Sequence, residues 1–254
     1  MKIIRKESLA STNSFAEQQL TEGKISEPCC IMAAGQSAGK GQGSNSWVSE
    51  AGKNLTFSIV CFPEFLLAEK QFYLNKAVAL SVAGFVSELV PDKRIAIKWP
   101  NDIYIENHKT AGILIQTAIQ TDRMKYAIIG IGININQEEF PEYLPNPTSI
   151  IQHTKTKTDL DSAIKRFLDI FKNRYEMIMN NRIAETDRDY LNALYRFGQR
   201  SFFEYEGKRI RASICGVNEY GWLQLNTDDG KMICGDMNKI KMIVGKRNVG
   251  EPLR

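Results

Sequence analysis

The sequence has few residues of the kinds that build metal centres or histidine-activated nucleophiles. Its 254 residues include two histidines, His108 and His153, and neither has a partner pattern for a metal or a serine relay. The five cysteines lack metal-ligand spacing, since Cys29 and Cys30 are adjacent and the others lie far apart. These shortages argue against a metalloenzyme and against a disulfide-stapled secreted protein. Reduced, mostly buried thiols are the better fit, and they predict a cytoplasmic protein.

Long hydrophobic runs and blocks of like charge are also missing. The longest apolar stretches are interrupted by Lys, Glu or Asn before they reach spanning length, so we expect no membrane partner. The amino-terminal residues carry charges with no apolar segment behind them, which predicts that there is no signal peptide. The net charge is +4, and the lysines and arginines are dispersed along the chain. This mild charge predicts no DNA partner.

The apolar residues follow the periodicities of a mixed α+β protein. A chain of 254 residues can bury a sizeable core, as one large domain or as a medium domain with a small one. The predicted strands cover residues 1–7, 29–34, 54–62, 95–98, 103–105, 109–115 and 126–135. The predicted helices cover residues 14–20, 72–89, 159–180 and 184–195. Residues 137–158 are rich in proline and threonine and are expected to form a loop.

The pattern changes near Gly198. From Ser201 to Val244, short alternating segments are separated by turns at 206–207, 218–221 and 228–230, which is typical of a small β-barrel. Neighbouring strands with helices before and after them indicate an α+β fold, with a mixed or antiparallel sheet packed by helices. We therefore predict two domains, residues 1–197 and a C-terminal β-barrel of residues 198–254.

A glycine-rich loop from Gly35 to Trp47 is the first candidate for a binding site. Its alternating glycines let successive backbone N–H groups face an anion, and Lys40 adds a positive charge. The spacing is not that of a P-loop, because Gly41 follows Lys40 where Ser or Thr is needed. Ser44 occupies the place of the last glycine of a dinucleotide fingerprint. A flexible surface hairpin is the alternative interpretation of this loop.

Three further polar clusters interrupt apolar strands at turns. Buried lysine and aspartate are costly unless they are paired or bound to a ligand, and glycine inside a strand marks a bulge or a close backbone approach. Together with the glycine loop, the clusters predict an anionic ligand, most simply a nucleotide. They are Lys98-Trp99-Pro100-Asn101-Asp102, Lys109-Thr110-Ala111-Gly112 and Gly130-Ile131-Gly132-Ile133-Asn134.

The residues before the first predicted helix are all small and polar. Ser11, Thr12, Asn13 and Ser14 are good helix caps, and Ser14 with Glu17 matches a capping box. A helix N-terminus can also present N–H groups to a ligand. From the residues alone, capping is the favoured role.

The ordered set of motifs resembles the biotin–protein ligases. The order is Ser11-Thr12-Asn13, the Gly39-Lys40-Gly41 loop ending in Trp47, and then the three clusters above. The resemblance covers nearly the whole chain, and it is to single-function members, which lack an N-terminal winged-helix domain. It implies a class II synthetase-like catalytic domain followed by an SH3-like barrel. The implied activity is protein biotinylation: ATP adenylates the biotin carboxylate, and a lysine of a biotin carboxyl carrier domain attacks biotinyl-5′-AMP to form an amide.

The resemblance also implies roles for individual residues. Lys109, Lys40 and Asp102 would be catalytic, with Asp102 near the attacking lysine or a magnesium ion. The implied biotin site comprises Ser11, Thr12, Asn13, Gln36, Gly39, Lys40, Gly112 and Lys109. The implied ATP and adenylate site comprises Gly41, Gln42, Trp47, Lys98, Trp99, Asn101, Gly130, Gly132 and Asn134. The implied ligands are ATP, biotin and Mg²⁺, the implied partner is the carrier domain of a biotin-dependent carboxylase, and a homodimer is a further possibility.

The sequence departs from the family pattern in the glycine loop. Relatives carry arginine at the position of Lys40, and further arginines are common around Gln42, Gly43 and Asn45, which are uncharged here. Lysine keeps the charge but lacks the bidentate fork of arginine. The loop is therefore expected to hold an adenylate through fewer ionic contacts than in arginine-rich relatives.

Two alternatives to a biotin ligase stay open at this point. A lipoate–protein ligase or octanoyltransferase would share the catalytic fold, and a non-catalytic module would only bind biotin or its adenylate. The cluster from Lys98 to Asp102 and the C-terminal barrel favour biotin over lipoate. The retained Lys40 and Lys109 favour catalysis over binding alone.

Overall fold

A computed structural model describes residues 1–244 of the chain. Within these residues the chain forms two β-sheets and five α-helices. The strands are β1 Lys2–Leu9, β2 Cys29–Gln36, β3 Leu55–Cys61, β4 Ile95–Lys98, β5 Asp102–Ile105, β6 His108–Gln120, β7 Arg123–Ile133, β8 Arg200–Tyr205, β9 Lys208–Val217, β10 Leu223–Thr227, β11 Met232–Gly235 and β12 Ile240–Met242. The helices are α1 Thr12–Thr21, α2 Phe72–Leu89, α3 Ile150–Thr154, α4 Leu160–Met179 and α5 Ile183–Ala193.

The larger sheet has the strand order β1-β2-β3-β7-β6-β5-β4. β1 and β2 are parallel, and the other neighbouring strands are antiparallel. The inner strand β3 is buried along its whole length. Its apolar and β-branched residues suit a strand covered on both faces. The predicted α+β fold, with a mixed sheet packed by helices, is confirmed.

The two faces of the larger sheet carry different residues, because successive side chains of a strand point to opposite sides. On one face, Phe57 packs against Phe167 of α4 with ring centroids 5.1 Å apart, and Phe85 of α2 contacts the same ring. On the other face, Ala16 of α1 packs against Val60 and its neighbours. Helix α1 lies over β2, β3 and β7. The polar residues of β5, β6 and β7 can therefore face an open space beside this helix.

The smaller sheet has the strand order β11-β10-β9-β8-β12, and its neighbouring strands are antiparallel. Phe203 and Ile214 of this sheet are buried in the same hydrophobic core as α2 and the larger sheet. This arrangement fits the predicted small C-terminal barrel. The division of the chain into domains at residue 197 stays a prediction, and residues 245–254 of the predicted barrel lie outside the described residues.

Two local predictions are wrong. Helix α1 begins at Thr12 with Ser11 as its N-cap, so Ser14 lies inside the helix and forms no capping box. Helix α3 lies within the predicted loop, where Ile150 and Ile151 are buried. A five-residue helix has little intrinsic stability, and burial of these two side chains stabilises it instead. None of the helices among residues 1–244 has the length and hydropathy needed to cross a membrane.

Candidate functional site

A cavity of about 750 Å³ opens on the α1 side of the larger sheet, beside the smaller sheet. Its volume is that of a pocket for a small-molecule ligand. The residues that the resemblance implies line this cavity, with the exception of Gly39. Gly39 is a buried residue of the glycine loop, and its carbonyl accepts a hydrogen bond from the backbone N–H of Trp47 at 2.9 Å. The implied residues at the cavity thus come from five separate parts of the chain.

Strand register explains why these distant motifs meet. Gly132 on β7 pairs with Gly112 on β6, and Gly112 pairs with Asp102 on β5. Residues directly opposite each other point to the same face of a sheet, so these three form one row across three strands. The two glycines contribute no side chains, so the carboxylate of Asp102 is the only side chain of the row. This row forms the floor of the cavity.

Two glycines of β7 let other groups approach the backbone closely. A Cβ atom placed on Gly130 would lie 2.9 Å from Cγ of Asn13, and one placed on Gly132 would lie 2.6 Å from Cζ2 of Trp47. Both distances are well below van der Waals contact. The close approach predicted for these glycines is confirmed. Gly130 lies at the Asn13 end of the cavity, whereas the resemblance had grouped it with the adenylate residues.

The end of the cavity at the start of α1 is a network of neutral hydrogen-bonding groups. The backbone N–H of Thr12 donates to Gln36 Oε1 at 2.8 Å. Ser58 Oγ lies 2.7 Å from Thr12 Oγ1 and 2.6 Å from Asn13 Oδ1. Asn13 Nδ2 donates to Gln116 Oε1 at 2.8 Å. Thr12, Asn13 and Ser58 are buried, so these bonds hold the polar side chains in one arrangement.

The role of helix cap that the residues alone favoured is therefore correct for Ser11 and wrong for Thr12 and Asn13. Ser11 does cap the helix, because its side chain accepts a hydrogen bond from the backbone N–H of Ser14. Thr12 and Asn13 are the first helical residues, and their side chains bond to the neighbouring strands instead. Their position at the cavity is set by tertiary contacts, which local helix signals do not report.

The opposite part of the cavity holds a charged cluster. Lys109 Nζ donates to Asp102 Oδ1 at 2.6 Å, and Lys98 Nζ lies 4.0 Å from Asp102 Oδ2. Burial lowers the pKa of Lys98; Asp102 opposes this effect, and the nearby ammonium of Lys109 adds to it. Two ammonium groups around one carboxylate leave a net positive charge. An anionic ligand would reduce the repulsion between the two lysines, so the cluster favours phosphate or carboxylate binding.

The glycine loop forms a small hairpin that ends at Trp47. Gly41 N–H donates to the carbonyl of Asn45 at 2.8 Å, and Lys40 and Ser46 form an isolated β-bridge. The indole of Trp47 lies below the Lys109 ammonium, with 5.7 Å between Nζ and the ring centroid. Its Nε1 is buried and has no hydrogen-bond partner within residues 1–244. A buried donor without a partner is costly, and this nitrogen packs against the backbone of Gly132.

Asn101 and Asn134 are held by backbone carbonyls. Asn101 Nδ2 donates to the carbonyl of Ile113 at 2.7 Å, and Asn134 Nδ2 donates to that of Thr148 at 2.9 Å. Asn134 Oδ1 is buried and has no partner within the described residues. Asn134 is therefore held in place with one unpaired acceptor atom, while the amide of Asn101 joins the turn after β4 to β6.

Sequence reasoning missed several residues at the cavity. Ser58 and Gln116 hold Asn13, yet in the sequence they are polar residues of ordinary strands and belong to no motif. Two further groups line the cavity from segments interpreted only as loop and barrel. They are Phe140, Tyr143, Leu144, Pro145, Asn146 and Pro147 before α3, and Met237, Ile240, Lys241, Met242 and Val244 at the end of the smaller sheet. The one available signal was the cluster of apolar and proline residues at 140–147 in an otherwise polar loop.

Comparisons with known proteins agree with this geometry. Residues 6–134 match the model of the biotin/lipoate A/B protein ligase family. The bifunctional ligase/repressor BirA of Bacillus spizizenii is 31% identical over 90% of this chain and 70% of its own length. A biotin–[acetyl-CoA-carboxylase] ligase of Mycobacterium tuberculosis is 25% identical over 94% of this chain and 85% of its own length. The biotin protein ligase from Aquifex aeolicus, in complex with biotin and ATP, has a TM-score of 0.79 and 23% identity over 96% of this chain and 99% of that one. The chain belongs to the biotin/lipoate A/B protein ligase family, and it is a ligase.

Proposed function

We propose that this protein joins biotin to a lysine of a biotin carboxyl carrier domain, using ATP to form biotinyl-5′-AMP. The observation that carries the proposal is the division of one cavity into two chemically different ends. The α1 end offers neutral hydrogen-bonding groups, which suit the ureido ring of biotin. The Asp102 end offers Lys98 and Lys109, which suit a carboxylate and phosphates. Between the two ends, Gly112 and Gly132 carry no side chains, and the indole of Trp47 lies against them.

The relatives support the same reaction. The Mycobacterium tuberculosis protein is named as a ligase for acetyl-CoA carboxylase, and the Aquifex aeolicus structure holds biotin and ATP. A structure from Helicobacter pylori is described with bound biotinylated ATP. Carried over to this chain, these ligands predict a biotin and ATP site and a carboxylase carrier domain as acceptor. A homodimer stays a prediction.

In the first step, an oxygen of the biotin carboxylate attacks the α-phosphorus of ATP. The bond to the β-phosphate breaks, and pyrophosphate leaves. Negative charge grows on the phosphate oxygens, so fixed ammonium groups lower the barrier more than they stabilise the substrates. Lys109 is the group we assign to the reacting carboxylate and α-phosphate, because Asp102 already orients it. Lys40 and the loop N–H groups would hold the remaining phosphates.

In the second step, the acceptor lysine attacks the acyl carbon of the adenylate and AMP leaves. The attacking amine must arrive without its proton, and a carboxylate in the cavity can help to orient it. Asp102 is 17% exposed and is the only carboxylate among the described residues that line the cavity. It is our candidate for the group that receives the incoming amine.

Magnesium is the implied ligand that the described residues fit least well. No group of three or more His, Cys, Asp or Glu side chains in residues 1–244 could hold a metal ion. Asp102, the implied ligand, is already bonded to Lys109 and lies beside Lys98. Mg²⁺ commonly binds through one or two carboxylates together with substrate phosphates. A metal could therefore arrive with ATP, but no step here is assigned to it.

The proposed function is tested by ATP–pyrophosphate exchange followed by transfer to an acceptor. We expect exchange of labelled pyrophosphate into ATP that requires biotin, and then labelled biotin on a lysine of a carboxyl carrier domain. Exchange that requires lipoate would identify the lipoate alternative. Biotin binding without any exchange would identify a non-catalytic module. Either result would overturn the proposal.

A second prediction concerns release of the adenylate. Lys40 is exposed, and Gln42 and Asn45 add no charge to the loop that covers the cavity. We expect Lys40→Arg to slow the release of biotinyl-5′-AMP by about tenfold, because arginine can bond a phosphate through two N–H groups. The dissociation rate is measured by chasing labelled adenylate with unlabelled biotin and ATP. Lys24→Arg, at a surface lysine paired with Glu22, is the matched control. Equal rates in both variants and the wild type would contradict the prediction.

A further inference from the structure

The smaller sheet reaches the charged cluster through a buried hydrogen bond. Trp99 Nε1 donates to the carbonyl of Gly221 at 2.9 Å, and Trp99 is 7% exposed. Gly221 lies in the hairpin between β9 and β10, far from Trp99 in the sequence. We propose that the hairpin of residues 218–222 is a positioning element for the cluster of Lys98, Asp102 and Lys109. This inference rests on the proposed function, since its effect is on adenylation.

The turn that joins Lys98 to Asp102, two members of the charged cluster, is anchored at three residues. On one side of the turn, the carbonyl of Ile97 accepts a hydrogen bond from the backbone N–H of Tyr195 at 2.8 Å. On the other side, the amide of Asn101 is bonded to β6. Trp99 lies between these two anchors, with Lys98 before it and Asp102 after the turn. The bond to Gly221 is therefore an anchor inside the turn, at the residue that follows Lys98.

The hairpin itself is built to hold this carbonyl in place. Asn218 Oδ1 accepts hydrogen bonds from the backbone N–H groups of Tyr220 at 3.1 Å and Trp222 at 2.9 Å. Gly221 N–H donates to the carbonyl of Asn218 at 3.0 Å. Gly221 has a φ of +84°, a conformation that favours glycine. The Asn218 side chain thus closes a tight turn, and the turn directs the Gly221 carbonyl at the indole.

Helix α2 supports the hairpin from behind. A Cβ atom on Gly221 would lie 2.6 Å from Cγ of Phe72, so the ring presses directly on the glycine. Phe72 is fixed in turn by an edge contact with Tyr190, whose ring centroid is 5.9 Å away, and by the ammonium of Lys76 at 5.4 Å. Lys76 is almost fully buried and pairs with Asp187 at 2.6 Å. This close packing behind Gly221 limits how far its carbonyl can move away from Trp99.

The direct test is Trp99→Phe, which keeps an aromatic ring and removes the N–H. We expect the turnover rate of biotin-dependent exchange, counted per active site, to fall about tenfold, because the turn between Lys98 and Asp102 loses one of its anchors. The KM for biotin should stay within about twofold of the wild type, since α1 and β3 hold the biotin end. Active sites are counted from the pyrophosphate released in a single turnover. If the bond to Gly221 only stabilised the fold, Trp99→Phe would lower the melting temperature and the fraction of active protein. The rate per active site would then equal that of the wild type.

A second variant tests the hairpin without touching the cavity. Asn218→Ala removes the side chain that closes the turn. We expect the turnover rate of exchange per active site to fall about fivefold and the KM for biotin to stay unchanged. Thr227→Ala is the matched control, because Thr227 Oγ1 accepts a hydrogen bond from Lys231 N–H in the next hairpin of the same sheet. The control should lose stability to a similar extent and keep its rate per active site.

The outcomes separate this inference from the proposed function. If the wild type shows no biotin-dependent exchange, the proposed function fails and the inference fails with it. If the wild type is active and both Trp99→Phe and Asn218→Ala keep the wild-type rate per active site, only the positioning role is overturned. Equal loss of rate in Asn218→Ala and Thr227→Ala would also overturn it, since any loosening of the smaller sheet would then have the same effect.

Discussion

Replacing Lys109 by Ala should slow biotin-dependent ATP–pyrophosphate exchange about a hundredfold, which corresponds to roughly 3 kcal/mol of transition-state stabilisation. The ammonium of Lys109 is 2.6 Å from Asp102 and stands over the ring of Trp47, so its position is set before any ligand binds. A cation that is already oriented can stabilise charge as it develops without rearranging during the reaction. The loss should appear mainly in the turnover rate, measured under saturating biotin and ATP.

The side chain of Lys109 is one-third exposed, so its ion pair contributes little to folding stability. We therefore expect Lys109→Ala to unfold at nearly the same temperature as the wild type. Lys172→Ala is the matched control, because Lys172 is a surface lysine with a weak contact to Glu176 at 3.8 Å. A folded Lys109→Ala protein with the wild-type exchange rate would show that another group supplies the cation, and the role assigned to Lys109 would be wrong.

Most residues of this site could be predicted from the sequence, because they belong to short motifs at strand ends. Lys98, Asp102 and Lys109 are polar residues between apolar strands, and such residues need a partner or a ligand. Gly112 and Gly132 interrupt strands, which marks a close approach. These signals are local, because they depend on one residue and its immediate neighbours. The structure adds the register that sets Gly112, Gly132 and Asp102 in one row.

The residues that sequence reasoning missed depend on tertiary contacts. Ser58 lies in a strand whose residues are mostly apolar, and its hydroxyl matters only because α1 brings Thr12 and Asn13 to it. Gly221 looks like a common turn glycine, yet its carbonyl holds Trp99, which is more than a hundred residues earlier. The register of strands and the docking of one sheet on another are not encoded in short motifs. Signals of this kind therefore have to be read from the structure.

Replacing Gly130 by Ala should weaken biotin binding on the order of a hundredfold, because the new methyl group would collide with Asn13. Asn13 cannot yield freely, since its side chain is held by Ser58 at 2.6 Å and by Gln116 at 2.8 Å. Its Nδ2 also donates to the carbonyl of Leu114 at 3.3 Å. Three hydrogen bonds at about 0.5–1.5 kcal/mol each amount to roughly 2–4 kcal/mol, which sets the size of the expected effect.

The loss should be specific to the biotin end of the cavity. We expect calorimetry to show a large fall in biotin affinity, while the KM for ATP, measured at raised biotin concentration, changes little. Gly84→Ala is the matched control, because a Cβ atom on Gly84 of α2 would meet only Ile170 Cγ2, at 3.9 Å. Replacing glycine by alanine inside a helix should raise the free energy of unfolding by about 1 kcal/mol and leave biotin binding unchanged. Tight biotin binding by a folded Gly130→Ala protein would mean that Asn13 does not hold the ureido ring, because the methyl group and the Asn13 side chain cannot occupy the same space.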